Sequence, residues 1–117
     1  MKLKEIIELL DGNLYTGEDQ LDKSLKKGGA SDLMSDILAA LSEKCVLLTG
    51  LTTVQTIRTA IIAGVGAIVF VRGKTPPQEV IEEARKNEIP LISTPYSMFV
   101  SCGRLYAKGL SGLNGKR

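Results

Sequence analysis

A single compact α/β domain, with a mainly parallel β-sheet flanked by helices, is what this 117-residue sequence predicts. Cys45-Val46-Leu47-Leu48 and Ala67-Ile68-Val69-Phe70-Val71 are unbroken apolar runs of strand length, without the in–out alternation of a half-exposed sheet. Such strands are covered on both faces, as in parallel sheets. Segments with apolar residues at helical spacing separate the runs, which gives βαβ repetition. The length suits one domain, placed at residues 1–110. The small, polar and basic stretch 111–117 is expected to form a flexible tail.

Each element follows from local signals. Leu3, Ile6, Ile7 and Leu10 mark one face of an opening helix, which Asp11-Gly12 stops. Two short strands are expected next, at Asn13–Thr16 and within Gln20–Lys27. Gly28-Gly29 breaks the chain, and Ser31 caps a helix carrying Leu33, Met34, Ile37, Leu38 and Leu41. The first apolar strand ends at Thr49-Gly50. Thr52 or Thr53 caps a helix that runs to Ala63 and stops at Gly64. After the second apolar strand, Arg72-Gly73-Lys74-Thr75 forms a loop. Pro76 or Pro77 then occupies a first helical turn, where a missing N–H costs nothing, with Val80, Ile81 and Ala84 facing inward. Pro90 precedes the strand Leu91–Ser93, and Tyr96 to Lys108 forms the last helix.

Composition excludes several classes. Fifteen basic and thirteen acidic residues give a net charge of +2, too little for the positive field of a nucleic-acid binder. The absence of histidine removes every Ser-His or Cys-His nucleophile system and the commonest metal ligand. Tryptophan is absent too, which argues against a base-stacking platform. Cys45 and Cys102 form no CxxC pair and are expected as small buried hydrophobes. No stretch has the length of a membrane helix and the N-terminus lacks a signal-peptide pattern, so a cytoplasmic protein without membrane contact is expected.

In a parallel sheet the strand-to-helix loops emerge at one edge, outside the strands' C-terminal ends. Here these loops are rich in Gly, Ser and Thr. Gly28, Gly29, Ser31, Asp32, Thr49, Gly50, Thr52, Thr53, Arg72, Lys74, Thr94 and Tyr96 are the candidate ligand-binding residues. The glycines admit close backbone approach, the hydroxyls and free helix N–H groups suit phosphate, Arg72 and Lys74 add charge, and Tyr96 closes over a ring. The alternative is that the hydroxyls are only helix caps and the glycines only turns. Gly73-Lys74-Thr75 matches the end of a P-loop, but Ile68 stands where that motif needs its first glycine. Asp32 and Asp36, four apart, would share a helix face, a weak basis for a magnesium site. No catalytic residue, metal ligand or cofactor is assigned. The last helix, with Tyr96, Met98, Phe99, Val100, Cys102, Leu105 and Tyr106, is more apolar than one buried stripe requires, and Gly103 allows close approach. A homodimer through that helix is expected.

The segments GGASDLMSDILAAL (Gly28–Leu41), LLTG (Leu47–Gly50) and IPLISTPYSMFVSCGRL (Ile89–Leu105) resemble the DRTGG domain. That domain occurs inside some phosphate acetyltransferases and beside CBS domains in regulatory pyrophosphatases. It is similar in fold to the N-terminal domain of HPr kinase/phosphorylase. The resemblance implies a compact α/β fold, a regulatory or assembly role, frequent dimers and no established catalytic residues. The combined expectation is a non-catalytic, homodimeric regulatory domain. It binds a small phosphorylated ligand, such as an adenine nucleotide, at the C-terminal edge of the sheet. The alternative is a protein–protein interaction or dimerisation module with no small ligand.

Overall fold

The computed structural model describes residues 1–40 and 44–113. In chain order the elements are α1 (Leu3–Leu9), β1 (Asn13–Thr16), β2 (Lys27–Ala30), α2 (Met34–Ala40), β3 (Cys45–Thr49) and α3 (Val54–Ala63), followed by β4 (Ala67–Phe70), α4 (Gln78–Lys86), β5 (Leu91–Ser93), α5 (Met98–Ala107) and β6 (Ser111–Gly112). The six strands form one sheet in the order β1-β5-β4-β3-β2-β6. The β1–β5 pair is antiparallel and the other neighbours are parallel.

The unbroken apolar runs are explained by two cores, one on each face of the sheet. Leu47, Ile68, Phe70 and Leu91 face one way, against Ile37, Ile57, Val80 and Ala84 of α2, α3 and α4. Val46, Leu48, Val69 and Ile92 face the other way, against Leu3, Ile6 and Leu105 of α1 and α5. Successive side chains of a strand point to opposite faces, so a strand buried on both sides has no polar position to spare.

Local signals place most helix ends. The Thr53 hydroxyl caps α3 by accepting from the Thr56 N–H, and Gly64 closes the helix in the left-handed conformation, at φ 77°. Pro77 is the residue before α4, and Arg85 and Lys86 occupy the last turn, where cations favour the helix dipole. Ser97 rather than Tyr96 marks the start of α5, its hydroxyl accepting from the Val100 N–H.

Four expectations are corrected. Gly28 and Gly29 lie inside β2 and do not break the chain; the strand expected within Gln20–Lys27 starts only at Lys27. A Cβ on Gly28 would sit 2.9 Å from Leu110 Cδ2, so the glycine is set by packing. In α2 only Ile37 of the expected stripe is fully buried, while Leu33 and Leu38 are exposed; Leu41 lies outside the described residues. Ser111 and Gly112, expected in a flexible tail, pair with Lys27 and Gly28 as a parallel edge strand. Cys45 is buried as expected, whereas Cys102 is only half-buried, and burial pushes its thiol pKa up. No helix among the described residues is long and apolar enough to cross a membrane.

Candidate functional site

Because β2, β3 and β4 run parallel, the segments that follow them meet at one edge. Asp32, just after β2, aims its Oδ1 at the end of β3. There it accepts from the Gly50 N–H (2.7 Å) and the Thr49 hydroxyl (3.0 Å). Arg72 Nη2 lies 3.9 Å from the other carboxylate oxygen. The Lys74 ammonium donates to the Gly50 carbonyl at 2.7 Å. A Cβ on Gly50 would collide with the Arg72 guanidinium. Glycine at this position therefore lets the arginine lie across the loop.

The Arg72 backbone has φ 66° and Gly73 has φ 68°. A left-handed arginine is uncommon and costs about 1–2 kcal/mol. It is held there by two hydrogen bonds, from the Arg72 N–H to the Tyr96 carbonyl and from the Gly73 N–H to the Thr94 carbonyl, each 2.8 Å. The β4–α4 loop is thus fastened to the β5–α5 loop.

The Gly50 N–H holds the Asp32 carboxyl below its ordinary pKa; burial opposes this, and Thr49, Arg72 and Lys74 add smaller lowering effects. Its folded-state pKa lies below the unfolded value, so its stabilisation is complete at neutral pH. That stabilisation is lost as pH falls through the depressed pKa. The side chain is 44% exposed, which limits the Arg72 pair to at most about 1 kcal/mol after solvent screening. Asp32→Ala is expected to lower stability by about 1 kcal/mol at pH 7, through the lost hydrogen bonds to Gly50 and Thr49. The deficit should shrink towards zero as the acid limb is reached, which urea denaturation at a series of pH values measures.

The remaining predicted residues divide by role. Ser31 accepts from the Leu33 N–H and contacts Asp36 Oδ2 at 3.3 Å, a turn-and-cap function. Thr53 is the α3 cap, and Thr52 is half-buried beside it. Thr94 is buried, with its hydroxyl spent on the Leu10 carbonyl. The Tyr96 ring lies 4.2 Å from the Arg104 guanidinium carbon, an internal cation–π contact. Gly28 and Gly29 face a different space, an apolar cavity of ≈ 200 Å³ bounded by Leu48, Cys102, Leu105 and Leu110. Asp32 and Asp36 do not share a helix, since α2 begins at Met34. Among the described residues no group of three or more His, Cys, Asp or Glu residues could hold a metal.

Sequence reasoning missed one feature. A polar cleft of ≈ 370 Å³ opens beside the 72–75 loop, lined in part by Asp11, Asn13, Tyr15, Thr75 and Ser93. It exists because β1 pairs with β5, a neighbour nearly 80 positions away, and only the Asp11-Gly12 turn signal hinted at a bend there.

These features define a class: an α/β scaffold of parallel βαβ units, with a polar loop edge held by a carboxylate, a glycine and two cations. The chain belongs to the DRTGG-domain family, whose pattern matches residues 5–107. No curated protein matches it in sequence. Its fold is similar to the crystal structure of the CBS and DRTGG domains of the regulatory region of Clostridium perfringens pyrophosphatase, complexed with the activator diadenosine tetraphosphate. The TM-score is 0.76 at 23% identity, covering 99% of this chain and 50% of that one. The chain thus spans half the length of that structure.

Proposed function

We propose that this domain is a non-catalytic regulatory module that senses a small phosphorylated ligand, an adenine nucleotide in the first instance, at the Gly50–Arg72–Lys74 edge. The observation that carries the reading is the convergence of two cations from one loop on the Gly50 backbone, close to the start of α3. The Arg72 side chain is 53% exposed, and its carboxylate partner stands 3.9 Å away. A phosphate offers the guanidinium shorter, charge-assisted hydrogen bonds than it has there. The nucleotide activator of the structurally similar regulatory region supports the choice of ligand class.

Thermal unfolding with adenine and guanine nucleotides, with and without Mg²⁺, tests this. A ligand present at 100 times its Kd adds about 2.7 kcal/mol, a rise of roughly 10 °C for a domain of this size. Arg72→Ala should abolish most of the rise while leaving the unliganded Tm within about 4 °C, because its half-exposed pair with Asp32 is worth at most about 1 kcal/mol. No rise with any nucleotide at millimolar concentration rejects the reading.

A second reading rests on α5, where Phe99 is 87% exposed and Val100 and Tyr106 are also exposed. Phe99, Gly103 and Tyr106 follow helical spacing on one face, and a Cβ on Gly103 would meet nothing within 4 Å. We read this face as the homodimer or partner-binding surface of an interaction module. Solution mass measured alongside the thermal scans distinguishes the two: a dimer silent to nucleotides favours the second reading.

A further inference from the structure

We infer that the polar cleft beside the 72–75 loop is the subsite for a neutral, polyhydroxylated group, the ribose of a phosphorylated ligand whose phosphate lies on Arg72 and Lys74. The inference rests on the proposed phosphate edge and adds the chemistry of the rest of the ligand. Arg72 and Lys74 reach towards Gly50, while Gly73 and Thr75, alternating with them, line the cleft. One four-residue loop therefore separates a cationic edge from a cleft whose lining, among the described residues, holds no lysine or arginine.

The polar side chains of the cleft are one carboxylate (Asp11), one amide (Asn13) and four hydroxyls (Tyr15, Thr75, Ser93 and Thr94), of which Thr94 donates inward to the Leu10 carbonyl. This set both donates and accepts, as sugar hydroxyls require. Asp11 disfavours a second phosphate. At ≈ 370 Å³ the cleft lies at the small end of ligand sites, the size of a sugar rather than a whole dinucleotide.

The walls are built rather than incidental. The β1–β5 register runs Asn13↔Ser93, Leu14↔Ile92, Thr16↔Leu91, so Tyr15 is the extra residue of a β-bulge. Bulges re-aim side chains. The Tyr15 ring packs against the core while its hydroxyl meets the Ser93 hydroxyl at 3.3 Å. Asp11 is left-handed at φ 50°, and a Cβ on the adjacent Gly12 would sit 2.8 Å from Ile92 Cγ2. The left-handed Asp11 in the lining carries the kind of conformational cost that accumulates at binding sites.

The test is an NMR titration of the full chain at fixed ionic strength, with inorganic phosphate and ribose 5-phosphate as probes. Ribose 5-phosphate should bind about tenfold more tightly than phosphate, the gain of two or three hydrogen bonds, and should shift the Asn13, Tyr15 and Thr75 amides. Asn13→Ala and Tyr15→Phe should each remove most of that gain without weakening inorganic phosphate. Both variants should fold, since Asn13 is exposed and phenylalanine keeps the Tyr15 ring. Equal affinities for the two probes, or a gain that survives in both variants, overturns the subsite while leaving the phosphate edge intact. Ribose 5-phosphate binding that survives Arg72→Ala but not Asn13→Ala upholds the cleft and removes the phosphate edge. Binding of neither probe overturns both.

Discussion

Phe70→Ala is expected to destabilise the domain by about 3–5 kcal/mol, with Tm falling by roughly 10–20 °C. Phe70 is fully buried in β4, between β3 and β5, in the core against α2, α3 and α4. Truncation loses the transfer free energy of the ring and leaves a cavity that strands paired on both sides cannot close. Total stability of natural domains is about 5–15 kcal/mol, so the change removes a large fraction of it. The effect reaches the site as well, because the Phe70 carbonyl accepts the Thr94 N–H at 2.9 Å, and Arg72 follows two residues later. Calorimetry gives the number directly. A fall of less than 5 °C would show that the layer of α2, α3 and α4 can collapse onto the sheet.

The second large effect is expected at Gly17→Ala. Gly17 ends β1 with φ 98°, a conformation that side chains rarely adopt. An added Cβ would lie 2.8 Å from Pro90 Cβ and 2.9 Å from Pro90 Cα, and backbone does not yield cheaply. The left-handed penalty of about 1–2 kcal/mol adds to an overpacking cost of about 1–3 kcal/mol. A loss of about 3 kcal/mol is expected in denaturant titration. Gly73→Ala is the internal control: its φ is also positive, but the space around its Cβ is open, so it should show the backbone part alone.

What could be read along the chain was what depends on near neighbours. The α3 ends were legible because a threonine hydroxyl three residues before a free N–H, and a glycine after the last apolar residue, act within one helical turn. The convergence of Thr49, Gly50, Arg72 and Lys74 was legible at one remove, since parallel strands deliver their following loops to a single edge. The same reasoning does not show what those side chains already contact. For Tyr96, sequence shows the aromatic but not the Arg104 guanidinium beside it. Thr94 does line the cleft at that edge, but nothing local shows that its hydroxyl turns inward to Leu10, 84 positions away. Glycine composition alone does not separate the break expected at Gly28-Gly29 from a strand packed closely under Leu110.

By itself, the sequence determined that this protein has a sheet buried on both faces. Two runs of apolar residues without polar alternation admit no other place, and helical spacing between them supplies the covering layers. Tertiary structure decided everything that depends on strand order. It placed β1 antiparallel beside β5, and so brought the Tyr15 and Ser93 hydroxyls together across 78 positions. It also added β6 to the edge of β2, and turned Asp32 away from its helix towards Gly50. Burial and helix periodicity act residue by residue. The pairing of distant strands instead depends on how the whole set of apolar surfaces is covered at once, and the chemistry of the cleft follows from that pairing.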